Sequence, residues 1–227
     1  MKRLDKIVSF VGENKMVADI GSDHGITAIK IYEEKNPKKV IATDISAPSL
    51  QKLKDKLKHS GYEIETIVTD GLKNLPMDIE EAVISGMGAN LIVNILRGNL
   101  DLSRSLEKII TSPNNSLEYY RRWLMDNGFT IINDEKIEDE GVLYDVVVIK
   151  YTGENTSYNS EYEYMYGKDN LANKNPYTIK EIEQEIARNH GILEKFSGID
   201  SARITDRIEE LKVKNQKLEE LLCELKN

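Results

Sequence analysis

At 227 residues the chain is long enough for one full α/β domain and an appendage. Its 40% apolar and 31% charged residues contain no run of about 18 apolar positions, which excludes a membrane-spanning helix of the ordinary kind. One cysteine, Cys223, excludes an internal disulfide framework and a cysteine-rich zinc site, and a formal net charge of −8 argues superficially against a nucleic-acid partner.

The charge is unevenly spread. Residues 1–60 carry 12 Lys and Arg against 8 Asp and Glu, whereas residues 61–150 carry 8 against 16 and residues 151–227 carry 11 against 15. A basic face built from the first sixty residues could therefore still follow phosphates. The opening Met1-Lys2-Arg3-Leu4-Asp5-Lys6 has no apolar core of signal-peptide type, so the cytoplasm is the expected location.

Leu4, Ile7, Val8 and Val11 share one helical face, and Gly12 marks its end. Met16–Ile20 is predicted as the first strand, and Ile26–Glu34 as a partly buried helix stopped by Asn36-Pro37. Val40–Asp44 is the second strand. Ser46 caps a following helix that holds Pro48 in its first turn, carries Leu50, Leu53 and Leu57, and stops at Gly61. Glu63–Thr69 forms the third strand, running into Asp70-Gly71, and Glu81–Gly86 the fourth, followed by an apolar helix through Leu91, Ile92, Ile95 and Leu96.

Glu107–Thr111 is the fifth strand. Leu117, Tyr120, Trp123 and Leu124 mark the next helix, closed by Asn127-Gly128. Phe129–Ile137 and Val142–Tyr151 read as two strands joined by the acidic turn Glu138-Asp139-Glu140-Gly141. Strands alternating with helices imply an α/β fold with a mostly parallel seven-stranded sheet, the last strand pair adding an antiparallel edge. The predicted domains are a Rossmann-like domain over 1–152, a linker and docking segment over 153–177, and a helical hairpin over 178–227.

The hairpin is read from Ile179, Ile182, Ile186, Leu193 and Phe196, then Ile204, Ile208, Leu211, Leu218, Leu222 and Leu225, with Gly198 and Asp200 between them. That spacing fits two antiparallel, coiled-coil-like helices; one long helix acting as a dimer handle is the alternative.

The chain is organised around Val17-Ala18-Asp19-Ile20-Gly21-Ser22-Asp23-His24-Gly25, a buried strand running into a glycine turn. In open α/β sheets ligands sit beyond such strand ends. A dinucleotide fingerprint needs a second glycine so that backbone can approach a pyrophosphate; Asp23 stands there and would repel it. An acid suits a cofactor with positive charge, such as S-adenosylmethionine with its sulfonium and amino groups. Asp44 falls where a ribose-binding acid belongs, and Asp70 can meet an adenine amino group. Ile45 and Gly71 follow those acids, and Gly86-Met87-Gly88 lies beside the expected methyl donor. His24 has no flanking ligand pattern for zinc or iron, so no metal is expected; His59 and His190 read as surface or hairpin residues.

Asp19-Ile20-Gly21-Ser22-Asp23-His24-Gly25, Ser85-Gly86-Met87-Gly88, Ser112-Pro113-Asn114 and Glu138-Asp139-Glu140-Gly141-x-x-Tyr144-Asp145-Val146 together resemble the bacterial tRNA (adenine-22 N1)-methyltransferases, the TrmK family. The resemblance covers about residues 1–150 and extends more loosely to Tyr166-Gly167, Leu171, Pro176-Tyr177 and the hairpin. Ala89 stands where the family usually has a last glycine, and Ser112 where it usually has glutamine; neither change adds charge, so cofactor binding is expected to survive.

The resemblance implies a class I methyltransferase fold, S-adenosylmethionine as donor with S-adenosylhomocysteine as product, and N1 of adenine 22 of tRNA as acceptor. Ser112, Pro113 and Asn114 are expected to frame a flipped base, with Asn114 bonding its edge and Asp23 or His24 answering the product charge. Arg121 and Arg122 are expected to reach phosphate. The hairpin is expected to grip the tRNA through Lys180, Arg188, Lys195, Arg203 and Arg207, on a chain that is a monomer unless the hairpin pairs it. Two other readings stay open: a methyltransferase for another RNA site, a small molecule or a protein, and a cofactor-binding module without turnover.

Overall fold

The computed structural model describes residues 2–196 and 202–227, in two compact units, Met1–Lys168 and Asp169–Asn227. In the first unit the elements run α1 (Arg3–Ser9), β1 (Met16–Ile20), α2 (Ile26–Lys35), β2 (Lys39–Asp44), α3 (Ala47–Leu57), β3 (Ile64–Val68) and β4 (Glu81–Met87). They continue with α4 (Ala89–Gly98), α5 (Leu100–Ser105), β5 (Lys108–Pro113), α6 (Leu117–Asp126), β6 (Phe129–Asp139), β7 (Val142–Tyr151) and α7 (Glu161–Tyr166).

The seven strands form one sheet in the order β3-β2-β1-β4-β5-β7-β6. β3 to β5 pair in parallel, and β7 runs antiparallel between β5 and β6. Because strand side chains alternate, each buried strand feeds two cores. Ala18, Ile41, Ala82, Ile84 and Ile109 join Ile92, Leu96, Leu102 and Trp123 on one face. Val17, Val40, Ala42, Val83 and Ile110 join Ile7, Val8, Ala28 and Leu53 on the other. The parallel strands thus end along one edge, and the chain changes direction of winding between β1 and β4, the crevice where such sheets take their ligands.

Ser46 caps α3 as expected, its Oγ accepting the Ser49 amide at 3.3 Å. The periodicity does not reveal α5, which is only six residues long and is started by Asn99, whose side chain accepts the Leu102 amide at 3.2 Å. β4 and β5 reach further than their apolar runs suggest, to Met87 and Pro113, through a register shift between Ser85 and Met87.

The polar, tyrosine-rich stretch after Tyr151 is not all irregular. A capping box between Ser160 and Glu163 opens α7, which packs on α6. This overturns the expectation that Arg121 reaches substrate. Arg121 is fully buried: its Nε and Nη2 donate to Asp134 at 2.7 and 3.1 Å, Nη2 to Asp145 at 3.0 Å, and Nη1 to the carbonyls of Tyr164 and Met165 at 3.0 and 2.8 Å. Lys136 adds a second cation to Asp145 at 2.5 Å. A buried guanidinium requires such partners, and this one fastens α6, β6, β7 and α7 together.

α8 (Lys168–Ala172) follows. The second unit is dominated by α9 (Pro176–Phe196) and α10 (Ala202–Lys226). Lys226 pairs with Glu183 at 2.6 Å and His190 with Glu219 at 3.7 Å, the reversed order of an antiparallel pair. Ile182, Leu211 and Leu218 are buried, and Asn189 Nδ2 donates to Asn215 Oδ1 at 2.8 Å in the seam, a polar pair of the kind that fixes register. The expected turn at Gly198 and Asp200 lies outside the described residues, as does the side chain of Arg203. No helix among the described residues is long and apolar enough to cross a membrane.

Candidate active site at the strand ends

After Ile20 the chain turns at Gly21 (φ +74°), and the Ser22 amide donates to the Thr43 carbonyl at 2.7 Å, tying the end of β1 to that of β2. A Cβ on Gly21 would overlap Met87 Cε, so glycine here lets the loops after β1 and β4 close on one another. His24, in the 3₁₀ turn Asp23–Gly25, has φ +57°, a strained setting for a non-glycine residue of the sort that marks ligand loops. Its Nε2 lies 3.4 Å from Asp23 Oδ2, both side chains substantially exposed, and its carbonyl accepts Lys56 Nζ at 2.8 Å.

Asp19 lies beneath this turn. Burial lifts its carboxyl to about 6, Ser22 and the Ala28 amide pull it back, and the Asp44 charge lifts it further. Asp19 Oδ2 and the hydroxyls of Thr43 and Ser112 are buried without a hydrogen-bond partner. Since buried polar groups are nearly always paired, three orphans around the ends of β1, β2 and β5 indicate donors and acceptors kept for something that binds there.

The next two acids are more open. Asp44 Oδ1 accepts the Ser46 amide at 2.7 Å, and Ile45 beside it is 74% exposed. Asp70 is exposed and holds Lys73 Nζ at 2.6 Å, an ion pair weak enough in water to yield to a ligand. Gly71 (φ +63°) lies against Ile95. Asp70, Lys73, Leu91, Asn94, Ile95 and Gly98 line a cleft of about 160 Å³. Val68 and Leu91, both about half exposed, are two apolar groups at these strand ends that the sequence pattern does not single out.

At β4 the register shift leaves Gly86 exposed at φ +75°. The Asn114 amide donates to the Met87 carbonyl at 2.9 Å, so the loops after β4 and β5 are joined by a backbone bond. Ser112 and Pro113 are buried, whereas Asn114 is exposed. Asn115, not singled out in the sequence, packs against Gly88, where its Oδ1 would lie 3.1 Å from a Cβ.

The expected site residues from Asp19 to Asn114 therefore converge on the C-terminal edge of five adjacent parallel strands. Arg121 and Arg122 do not join them. Arg122 is bound to Glu118 and Glu161 and stacks on Tyr164, its guanidinium carbon 3.9 Å from the ring centroid. In the hairpin, Arg188 and Lys195 are exposed and Arg207 pairs with Glu210 at 2.8 Å. Among the described residues no group of three His, Cys, Asp or Glu is placed to hold a metal ion.

The family model described as "Methyltransferase domain" matches residues 1–147. The chain is 32% identical over 173 residues to a putative tRNA methyltransferase of Mycoplasma pneumoniae, covering 73% of this chain and 78% of that protein. It is 25% identical over 228 residues to the tRNA (adenine(22)-N(1))-methyltransferase of Bacillus subtilis, covering 97% and 96%. Among solved structures, the putative tRNA (m1A22) methyltransferase of Streptococcus pneumoniae in complex with S-adenosyl-L-methionine superimposes with a TM-score of 0.82 at 25% identity, covering 98% of this chain and 100% of that one. With the family model spanning more than half of its length, the chain belongs to the methyltransferase family and, within it, to the tRNA methyltransferases of the TrmK type.

Proposed function

We propose that the protein transfers a methyl group from S-adenosylmethionine to N1 of adenine 22 in tRNA, in the cytoplasm where that substrate is found. The observation that carries this reading is the strand-end row of Asp19, Asp44 and Asp70, followed at β4 and β5 by the joined Met87 and Asn114 loops. Relatives of matching length act on this nucleotide by name.

The residues fit the donor. Its amino group is a cation, and Asp19 Oδ2 is a buried acceptor with no partner. Gly21 and Ser22 would receive the amino-acid part, with Asp23 and His24 closing over it. Asp44 would accept from the ribose hydroxyls, Ile45 would cover one face of the adenine, and Asp70 with Gly71 would meet its amino edge. Gly86, Met87 and Gly88 would pass beneath the methyl-bearing end. When bound, S-adenosylmethionine supplies an electrophilic methyl on a positively charged sulfur.

The chain's own part is mostly positional. N1 of neutral adenine already carries a lone pair, so no residue has to remove a proton first; orientation and exclusion of water supply much of the rate. The base must leave its stack to reach the strand ends. There, Asn114 would accept from the exocyclic amine through its side-chain oxygen and favour the charge that develops on the ring. Pro113 and Met87 would keep water from the transfer path. Asp23 or His24 would accept a proton afterwards. In this reading the Met1–Lys168 unit, α7 included, carries catalysis and the Asp169–Asn227 unit grips the tRNA.

Unmodified tRNA incubated with the protein and S-adenosylmethionine, then mapped for N1-methyladenine, tests the assignment. Modification at adenine 22 is expected; a methylated base elsewhere, or labelled donor without incorporation into RNA, would refute it. Asn114→Ala is expected to retain donor binding and lose turnover by about ten- to a hundredfold, the range for one donor or acceptor aimed at developing charge and somewhat below that of an oxyanion-hole group.

A further inference from the structure

Across the strand ends the charge divides. The ends of β1, β2 and β3 carry Asp19, Asp23, Asp44 and Asp70, and beyond β4 stands a cation that the sequence reading gave no role. Arg3 opens α1; its backbone amide donates to Asp139 Oδ2 at 2.9 Å, which anchors the helix start to the end of β6. Its guanidinium carbon lies 4.8 Å from the centroid of the Tyr144 ring, and Nη2 would be 3.4 Å from a Cβ on Gly86. It therefore stands over the exposed backbone at the end of β4, held by stacking and half-buried.

Several cations of this unit are committed to carboxylates, whereas Arg3, like Arg97 over Trp123 and Arg104 over Tyr151, stacks on a ring instead. Lys6 pairs with Glu135, Lys30 with Asp5, Lys15 with Glu80 and Glu107, and Arg122 with Glu118. Among the described residues, no carboxylate pairs with the Arg3 guanidinium, and Asp139 is already engaged by its amide. The missing Cβ at Gly86 keeps the approach to Nη2 open. A positioned guanidinium with donors to spare suits a phosphate, which it can grip with two parallel N–H bonds.

We propose that Arg3, braced by Tyr144, binds a backbone phosphate next to the flipped adenine and so holds the nucleotide at the β4 edge while Asn114 reads the base. This rests on the assignment of tRNA as substrate. The guanidinium is not placed to favour the charge that appears on the ring, so its contribution is to acceptor binding. The competing anion is the carboxylate of the donor, which the same test separates.

Arg3→Ala and Arg3→Lys are to be compared with the wild type for tRNA KM, kcat, donor affinity and the slope of log tRNA affinity against log salt concentration. Arg3→Ala is expected to raise the tRNA KM about ten- to a hundredfold with little change in kcat, from the loss of one charged hydrogen-bonded contact. Its salt slope should fall by about 0.7, the loss of one phosphate contact to single-stranded RNA. Arg3→Lys keeps the point charge, so it should retain the salt slope but bind tRNA more weakly. Donor affinity should stay within about twofold in both.

Unchanged tRNA KM and salt slope in variants of an active wild type would overturn the phosphate role. A loss confined to donor affinity would assign Arg3 to the donor carboxylate and overturn it equally. If Arg3→Ala proves unstable, Arg3→Lys decides: wild-type tRNA affinity would be inconsistent with a guanidinium grip. Failure of the wild type to methylate tRNA would instead remove the substrate assignment itself.

Discussion

A carboxyl that titrates near neutrality in the free protein makes Asp19 the residue to measure first. Its folded value of about 6 lies above the unfolded value of 3.8, so the native state binds the extra proton between them. Stability from this group is therefore present below the unfolded value and lost as pH rises through about 6, by about 3 kcal/mol in all. Denaturant unfolding of cofactor-free protein between about pH 4 and pH 7 should show this fall, and Asp19→Asn should abolish its share. A donor amino group beside Asp19 stabilises the carboxylate, so cofactor binding just below pH 6 should release a proton. Calorimetry in buffers of different ionisation enthalpy would show it, and no buffer dependence would place the amino group elsewhere. Asp19 was legible because a strand ending in an acid and then a glycine is a local pattern. Its depth was not, since it depends on β2 and β4 arriving on either side of β1, with Ala42 and Val83 opposite Asp19.

Among the elements, the sheet was the most readable part: apolar runs closed by Asp44, Asp70 and Gly86 mark strands in any context. The strap formed by α7 was the least. The spacing of Leu117, Tyr120 and Leu124 puts Arg121 rather than Arg122 on the apolar face of α6, but a charged side chain is not expected to be buried there until its partners are known. The partners of Arg121 lie 13 and 24 residues on at Asp134 and Asp145, and 43 and 44 on at the Tyr164 and Met165 carbonyls. Only folding reveals that spacing. Removing one member of such a cluster leaves uncompensated buried charge, so Arg121→Ala should cost about 3–5 kcal/mol. Arg121→Lys should recover little, because an ammonium cannot satisfy the two carboxylates and two carbonyls that the planar fork reaches. Thermal melts of both variants would check this; a change of less than about 1 kcal/mol would mean that the cluster does not hold the strap.

On the scale of the whole molecule, net acidity is a poor guide to partners. The first sixty residues are basic, and the hairpin, though net acidic, exposes Arg188 and Lys195. A chain ended after Lys168 is expected to bind the donor as tightly as the full protein and tRNA more weakly. Equal tRNA affinity in filter binding would show that Asp169–Asn227 takes no part in the grip. The contrast between the two helices of that unit and the catalytic sheet was readable from the change of apolar period near Thr178, because helix and strand repeats differ in the sequence itself.

The carbonyls of Tyr164 and Met165 have a consequence for anyone recombining this protein with its relatives. Composition alone invites a join after residue 152, where the polar stretch begins. Such a chimera would inherit a guanidinium whose last two donors point at foreign backbone, and the damage would surface in the donor-binding half although no residue there had changed. A join after Lys168 leaves that half whole, so the exchangeable module begins some sixteen residues later than its appearance suggests.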